Sequence, residues 1–182
     1  MTDRNQLSLA AEFIPAPAAP VRSRIGRIFA FPNPVNEYAA RSTAGIVVVL
    51  ALAATLTMQG WALALIAAGF WLRLLFGPRI SPAALLSTKV IAPRIATPKL
   101  VPGPPKRFAQ GIGAALSTAA AICYVAGQGP VAWGLTALLI VAAALESVIG
   151  LCLGCLAFGR LQAWGLIPAD VCEACNTVSF LK

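Results

Sequence analysis

Four stretches of this chain are almost purely apolar, and the charged positions gather between them and towards the two ends. The first runs from about Tyr38 to Met58 and ends at Gln59-Gly60, a turn that leads straight into a second from Trp61 to Phe76. The third covers about Phe108 to Ala126, and the fourth runs from Pro130 through Trp133 to about Leu156, with Gly127-Gln-Gly129 between them. A helix of about twenty apolar residues crosses the ~30 Å hydrocarbon layer of a bilayer. The pattern therefore predicts an all-α polytopic membrane protein with four transmembrane helices arranged as two hairpins.

Local signals place the ends of these helices. Asn36 is a good N-cap for a helix with Glu37 in its first turn, and Glu37 and Arg41, four residues apart, can pair on one face. Pro130 suits the first turn of the fourth span. The loop from Gly77 to Arg107 holds seven prolines, which exclude a long regular helix, although Ser81-Pro82 reads as the start of a short one over Ala83 to Val90. Small residues in the third span, among them Gly111, Gly113 and Ala114, let neighbouring backbones approach closely.

Three regions follow. Residues 1–34 form an Ala/Pro-rich disordered tail and a basic segment, Val21 to Phe31, suited to an anionic lipid surface; residues 35–159 form the four-helix transmembrane domain; residues 160–182 form a cytoplasmic tail.

Composition supports this class. Of 182 residues, 59% are hydrophobic and 11% charged, against roughly 25% charged in soluble domains. The net charge is +8, and its cations lie in the tails, the middle loop and the adjoining helix ends. Both short turns are uncharged, so the positive-inside bias puts the N and C termini on the cytoplasmic side of the plasma membrane. It also accounts for the basic balance with the lipid bilayer alone, and no nucleic acid is expected. The start of the chain lacks the apolar core of a secretory signal.

The candidate chemistry lies near the C-terminus. Cys152-Leu-Gly-Cys155 and Cys172-Glu-Ala-Cys175 are separated by sixteen residues, within the spacing of four-thiolate metal sites. Cytosolic thiols stay reduced, so metal or reversible redox is favoured over a permanent disulfide. With no His in the chain, a closed site is all thiolate and zinc is the default ion. The four sulfurs thus read as a structural zinc centre in a scaffold or accessory subunit, as a thiol-disulfide or persulfide relay, or as packing at a helix end. Cys123 reads as packing.

Glu146 and Arg73 lie at similar depth on spans four and two and are expected to form an intramembrane ion pair, since a charge there must be partnered. On a continuous helix Glu146 stands roughly 240° and 180° from Cys152 and Cys155, which predicts that it does not share their site.

Several motifs together resemble the bacterial membrane-protein family known as domain of unknown function 4395. They are Phe31-Pro-Asn-Pro-Val-Asn-Glu37 with Arg41, Trp71-Leu-Arg73 with Phe76-Gly-Pro-Arg79 and Ser81-Pro82, Gly103-Pro-Pro-Lys-Arg-Phe108, and Glu146 with Gly150-Leu-Cys-Leu-Gly-Cys155. The resemblance covers about Phe31 to Gly159. It implies no established activity, but similar proteins occur beside or fused to thioredoxin-like or rhodanese-like proteins. That implies sulfur chemistry at the cysteines and such proteins as partners; the sequence leaves open whether the working form is an oligomer or a complex subunit.

Overall fold

The structure is a computed structural model that describes residues 33–95, 97–168 and 171. Cys172, Cys175 and the basic segment before Phe31 lie outside the described residues.

The expected helices are present. A two-residue strand β1 (Val35–Asn36) leads into α1 (Glu37–Leu56), and α2 (Trp61–Phe76) follows a short turn. Next come a 3-10 turn at Gly77–Arg79, α3 (Pro82–Leu86), a π-helical turn at Ser87–Ile91 and α4 (Ala92–Ile95). Strand β2 (Leu100–Val101) precedes α5 (Gly103–Val125), and α6 (Gly129–Ala144) continues through a second π-helical turn at Leu145–Ile149. The last helix is α7 (Leu153–Ala163). Among the described residues, four helical stretches are long and apolar enough to cross a membrane: Glu37–Leu56, Trp61–Arg79, Gly103–Val125 and Gly129–Ile149.

The four long helices form a bundle in which α2 packs most extensively on α5, α5 on α6, and α6 on α1, so the two hairpins bury one shared core. That core contains Val47, Ala51, Ile66, Phe70, Ala114 and Leu139. The contact between α2 and α5 is close because Gly113 has no side chain, and a Cβ there would run into the Phe70 ring. Three hydroxyls in the core are satisfied within their own helix. Thr43, Ser117 and Thr136 are buried, and each donates its hydroxyl to the carbonyl four residues earlier, at 2.7, 2.7 and 2.8 Å. In a medium without water this is the cheapest way to carry a hydroxyl.

The start of α1, the end of α2, the start of α5 and the end of α6 meet at one end of the bundle, and the two uncharged turns lie at the other. At the charged end, β1 and β2 pair antiparallel with Val35 opposite Val101 and Asn36 opposite Leu100, a ribbon that the sequence pattern did not reveal. Asn36 caps α1 as expected, its Oδ1 accepting from Tyr38 N at 3.0 Å. The expected Glu37–Arg41 pair is replaced, because nearer partners from other segments take both groups. Glu37 binds Lys99 at 2.7 Å, a hydrogen bond that raises the Lys99 pKa. Arg41 donates to the carbonyls of Ser147 and Val148 at 3.2 and 2.7 Å, closing the open end of α6.

Candidate functional site

Two departures from the expected helix ends build the site. The third span begins at Gly103, five residues before the expected start at Phe108, because Pro104 and Pro105 fall in the first turn, where a missing N–H costs nothing. Lys106 is thereby taken out of the loop and set on the inner face of α5. There its Nζ lies 2.6 Å from Glu146 Oε1, with side-chain exposures of 10% and 16%. The direct ionic partner of Glu146 is therefore Lys106 and not Arg73. Arg73 is buried and lies over the Phe70 ring at 4.4 Å from its centroid, and its Nε has no hydrogen-bond partner. It lines the same cavity as Glu146.

The fourth span does not run to Leu156. It widens into the π-helical turn at Leu145–Ile149 and stops at Gly150, whose left-handed φ of 81° is one that glycine adopts without strain. Leu151 N–H closes the turn on the Leu145 carbonyl at 3.1 Å, Cys152 is extended, and α7 starts at Leu153. The cysteines are thus folded back from the axis of α6, and Cys152 lines the same cavity as Glu146 and Arg73. The expectation that Glu146 stands apart from the cysteines is overturned, since it assumed a continuous helix between them.

Cys152 is the N-cap of α7. Its Sγ accepts from the backbone N–H of Cys155 at 3.3 Å, in the position where Ser or Asp usually sits. The thiol of Cys152 is held below its ordinary pKa, first by a hydrogen bond from the Cys155 thiol; the nearby Lys106 ammonium adds to this, while burial and Glu146 oppose it. The same hydrogen bond pushes Cys155 up, and burial reinforces that shift. The two sulfurs are chemically unequal, with the thiolate favoured at Cys152 over Cys155. Both are free thiols, and Cys123 is a third, packed beside the small core cluster of Leu63, Ala120 and Ala132.

α7 holds this geometry by docking on α5. Gly154 and Phe158, four apart on one face, are buried. Phe158 meets Phe108 edge-on at 5.7 Å between centroids, and Gly154 lies against Ala109. Among the described residues no group of three or more His, Cys, Asp or Glu side chains could hold a metal ion.

The sequence profile of a family described as Domain of unknown function (DUF4395) matches residues 35–163, well over half of the chain. The chain belongs to this family. No curated protein and no solved structure matches it. The part matched to DUF4395 starts at β1 and closes on the last residue of α7. It holds Arg73, Lys106, Glu146, Cys152 and Cys155, while Cys172 and Cys175 fall beyond it.

Sequence reasoning missed Lys106, which it counted among the surface cations of the loop. The signal was Gly103-Pro104-Pro105, since paired prolines after a glycine also suit a first helical turn.

Proposed function

We propose that this membrane protein performs thiol–disulfide exchange at the Cys152/Cys155 pair, with Cys152 as the attacking sulfur. The observation that carries this reading is the capping geometry, in which the Cys152 sulfur receives the Cys155 N–H at the start of α7. Reactive cysteines are set at helix N-termini and beside cations because both favour the thiolate. The Cys152 thiolate attacks one sulfur of a partner disulfide and expels the other as a thiolate. Cys155 then loses its proton, attacks the Cys152 sulfur and releases the partner as a dithiol. The partners that fit are thioredoxin-like or rhodanese-like proteins.

The sign of the pKa shifts sets the test. With Cys152 lowered and Cys155 raised, alkylation of Cys152 by iodoacetamide should rise with pH through a midpoint below the ~8.5 of a free thiol, about tenfold faster than Cys155 at neutral pH. Cys155→Ala removes the donated hydrogen bond and should move the midpoint up, whereas Cys155→Ser keeps a donor and should move it less. Oxidised glutathione should close the pair to one intramolecular disulfide. If Cys155 alkylates first, or no disulfide forms, the relay fails. A chain that carries about one zinc and becomes alkylable only after chelation would support instead the four-thiolate centre of Cys152, Cys155, Cys172 and Cys175.

We place the site on the cytoplasmic side of the plasma membrane, because the cations gather at that end of the bundle and the turns at the other end are uncharged. A reporter inserted between Pro102 and Gly103 should read cytoplasmic, and one at Gly127 external. The reverse pattern would put the dithiol outside.

A further inference from the structure

Beside Cys152 is a cavity of about 300 Å³, at the lower end of the ~300–1,000 Å³ usual for ligand sites. Most of its wall is apolar, from α1, α5 and α6, and three wall residues, Ile112, Leu138 and Leu153, are exposed on the outer surface of the bundle. Ile112 and Leu138 lie on two of the helices long and apolar enough to cross a membrane, so a ligand dissolved in the bilayer would approach the cavity from that side. Its polar residues are few: Arg73, Gln110, Glu146, Cys152 and Thr43. The Thr43 hydroxyl is used within α1, and Glu146 is held by Lys106. Two polar atoms remain buried without a partner, Nε of Arg73 and Oε1 of Gln110. Arg73 itself is only 5% exposed. Orphaned polar atoms this deep in an apolar setting are costly, and they are expected where a ligand supplies the missing partner.

The geometry points to a binding site for a lipid-soluble quinone in this cavity, with the quinone as the oxidant that re-forms the Cys152–Cys155 disulfide after the exchange has run in its reverse sense, in which a partner dithiol reduces that disulfide and leaves as a disulfide itself. This rests on the thiol–disulfide reading above and names the oxidising co-substrate of the same pair. A quinone is flat and apolar with two carbonyl oxygens, so its body suits the wall and a carbonyl can accept from Arg73 Nε. When the ring is reduced, a new O–H can donate to Gln110 Oε1. The positive charge of Arg73 favours the negative charge that builds on the ring oxygens during reduction. The balance is complete: two S–H bonds break and one S–S bond forms, while the two electrons and two protons pass to the quinone and make a quinol. A small inorganic anion would satisfy Arg73 but has no use for the apolar wall.

The test uses purified full-length chain in detergent, reduced and kept anaerobic, with decylubiquinone, whose fully substituted ring offers thiols no open carbon for conjugate addition. About one quinol should form per chain as the Cys152–Cys155 disulfide closes, and none with Cys152→Ser. Decylubiquinone should also raise the melting temperature of the Cys152→Ser/Cys155→Ser chain, a binding signal independent of turnover. Arg73→Met should slow quinone reduction at least tenfold, and Ala142→Phe, which fills the cavity from α6, should abolish both reduction and the thermal shift. Oxidised glutathione should still close the disulfide in both variants, which shows that they are folded and that their thiols are competent. If wild-type dithiol is oxidised by glutathione but neither reacts with nor is stabilised by decylubiquinone, the quinone site is wrong and the exchange reading stands. The same holds if Ala142→Phe reduces quinone at the wild-type rate. If glutathione also fails on the wild type, both are wrong.

Discussion

Replacing Glu146 by Leu should destabilise the protein by about 3–5 kcal/mol, while replacing Lys106 by Met should cost distinctly less. The two residues form one buried pair at 2.6 Å, yet their surroundings differ. Without Glu146, two buried cations, Lys106 and Arg73, lie near one another inside the bundle with no carboxylate to offset them. Without Lys106, Glu146 still faces Arg73 across the cavity, and the remaining charges balance. The double variant, Lys106→Met with Glu146→Leu, should cost less than the sum of the two, because two well-packed apolar side chains avoid the desolvation that each stranded charge incurs. Adding Arg73→Met to Glu146→Leu should recover stability for the same reason. Unfolding in mixed detergent micelles measures all of these. Strict additivity of Lys106→Met and Glu146→Leu would show that the pair does not act as a unit, and an equal cost for each would show that Arg73 does not offset Glu146.

The asymmetry bears on what was legible in the sequence. Spans, turns and the Asn36 cap follow from hydropathy and capping chemistry, which are local properties, and the helices lie where those properties put them except at the start of α5 and the end of α6. Ionic partners do not follow from local properties. Glu37 and Arg41 have the spacing to pair, and Arg73 and Glu146 have the depth, but each pairing also depends on which other groups tertiary folding brings near. Lys99 arrives through the β1–β2 ribbon, and Lys106 arrives because α5 starts early. Arg41 is drawn to the free carbonyls at the end of α6. The site was hidden for a related reason. Angular reckoning along a helix holds only while the helix continues, and Gly150 ends this one four residues after Glu146, between the acid and the cysteines. A glycine at that point in an apolar run is a possible stop, but Gly134 lies inside α6 without breaking it. What separates the two is the surroundings: Gly150 sits beside Glu37 and Arg41, and Arg41 holds the last carbonyls.

The small residue between the cysteines is where packing and reactivity meet, and Gly154→Ala should damage both. A Cβ on Gly154 would stand 2.5 Å from Ala109 Cβ and 2.6 Å from Ala109 Cα, against the ~3.5–4.0 Å of a comfortable carbon contact. One of those atoms is backbone of α5, so no rotamer change relieves the conflict, and α7 must lift by about an ångström. The movement loosens Phe158 on Phe108 and pulls at the turn in which Cys152 caps the helix. Overpacking of this kind costs about 1–3 kcal/mol. The alkylation midpoint of Cys152 should rise with it, because the N–H and S–H donors that favour its thiolate are fixed by the same turn. Ala109→Gly should recover only part of the loss, since it removes the Cβ conflict and leaves the one with Cα. Gly159→Ala supplies the internal comparison. It lies on the same helix with nothing within 4 Å of its added methyl, so it should be neutral or stabilise by up to ~1 kcal/mol through helix propensity and leave Cys152 unchanged. If Gly154→Ala behaves like Gly159→Ala in both stability and alkylation, then α7 is not seated on α5, and the reactivity of Cys152 must come from something other than this cap.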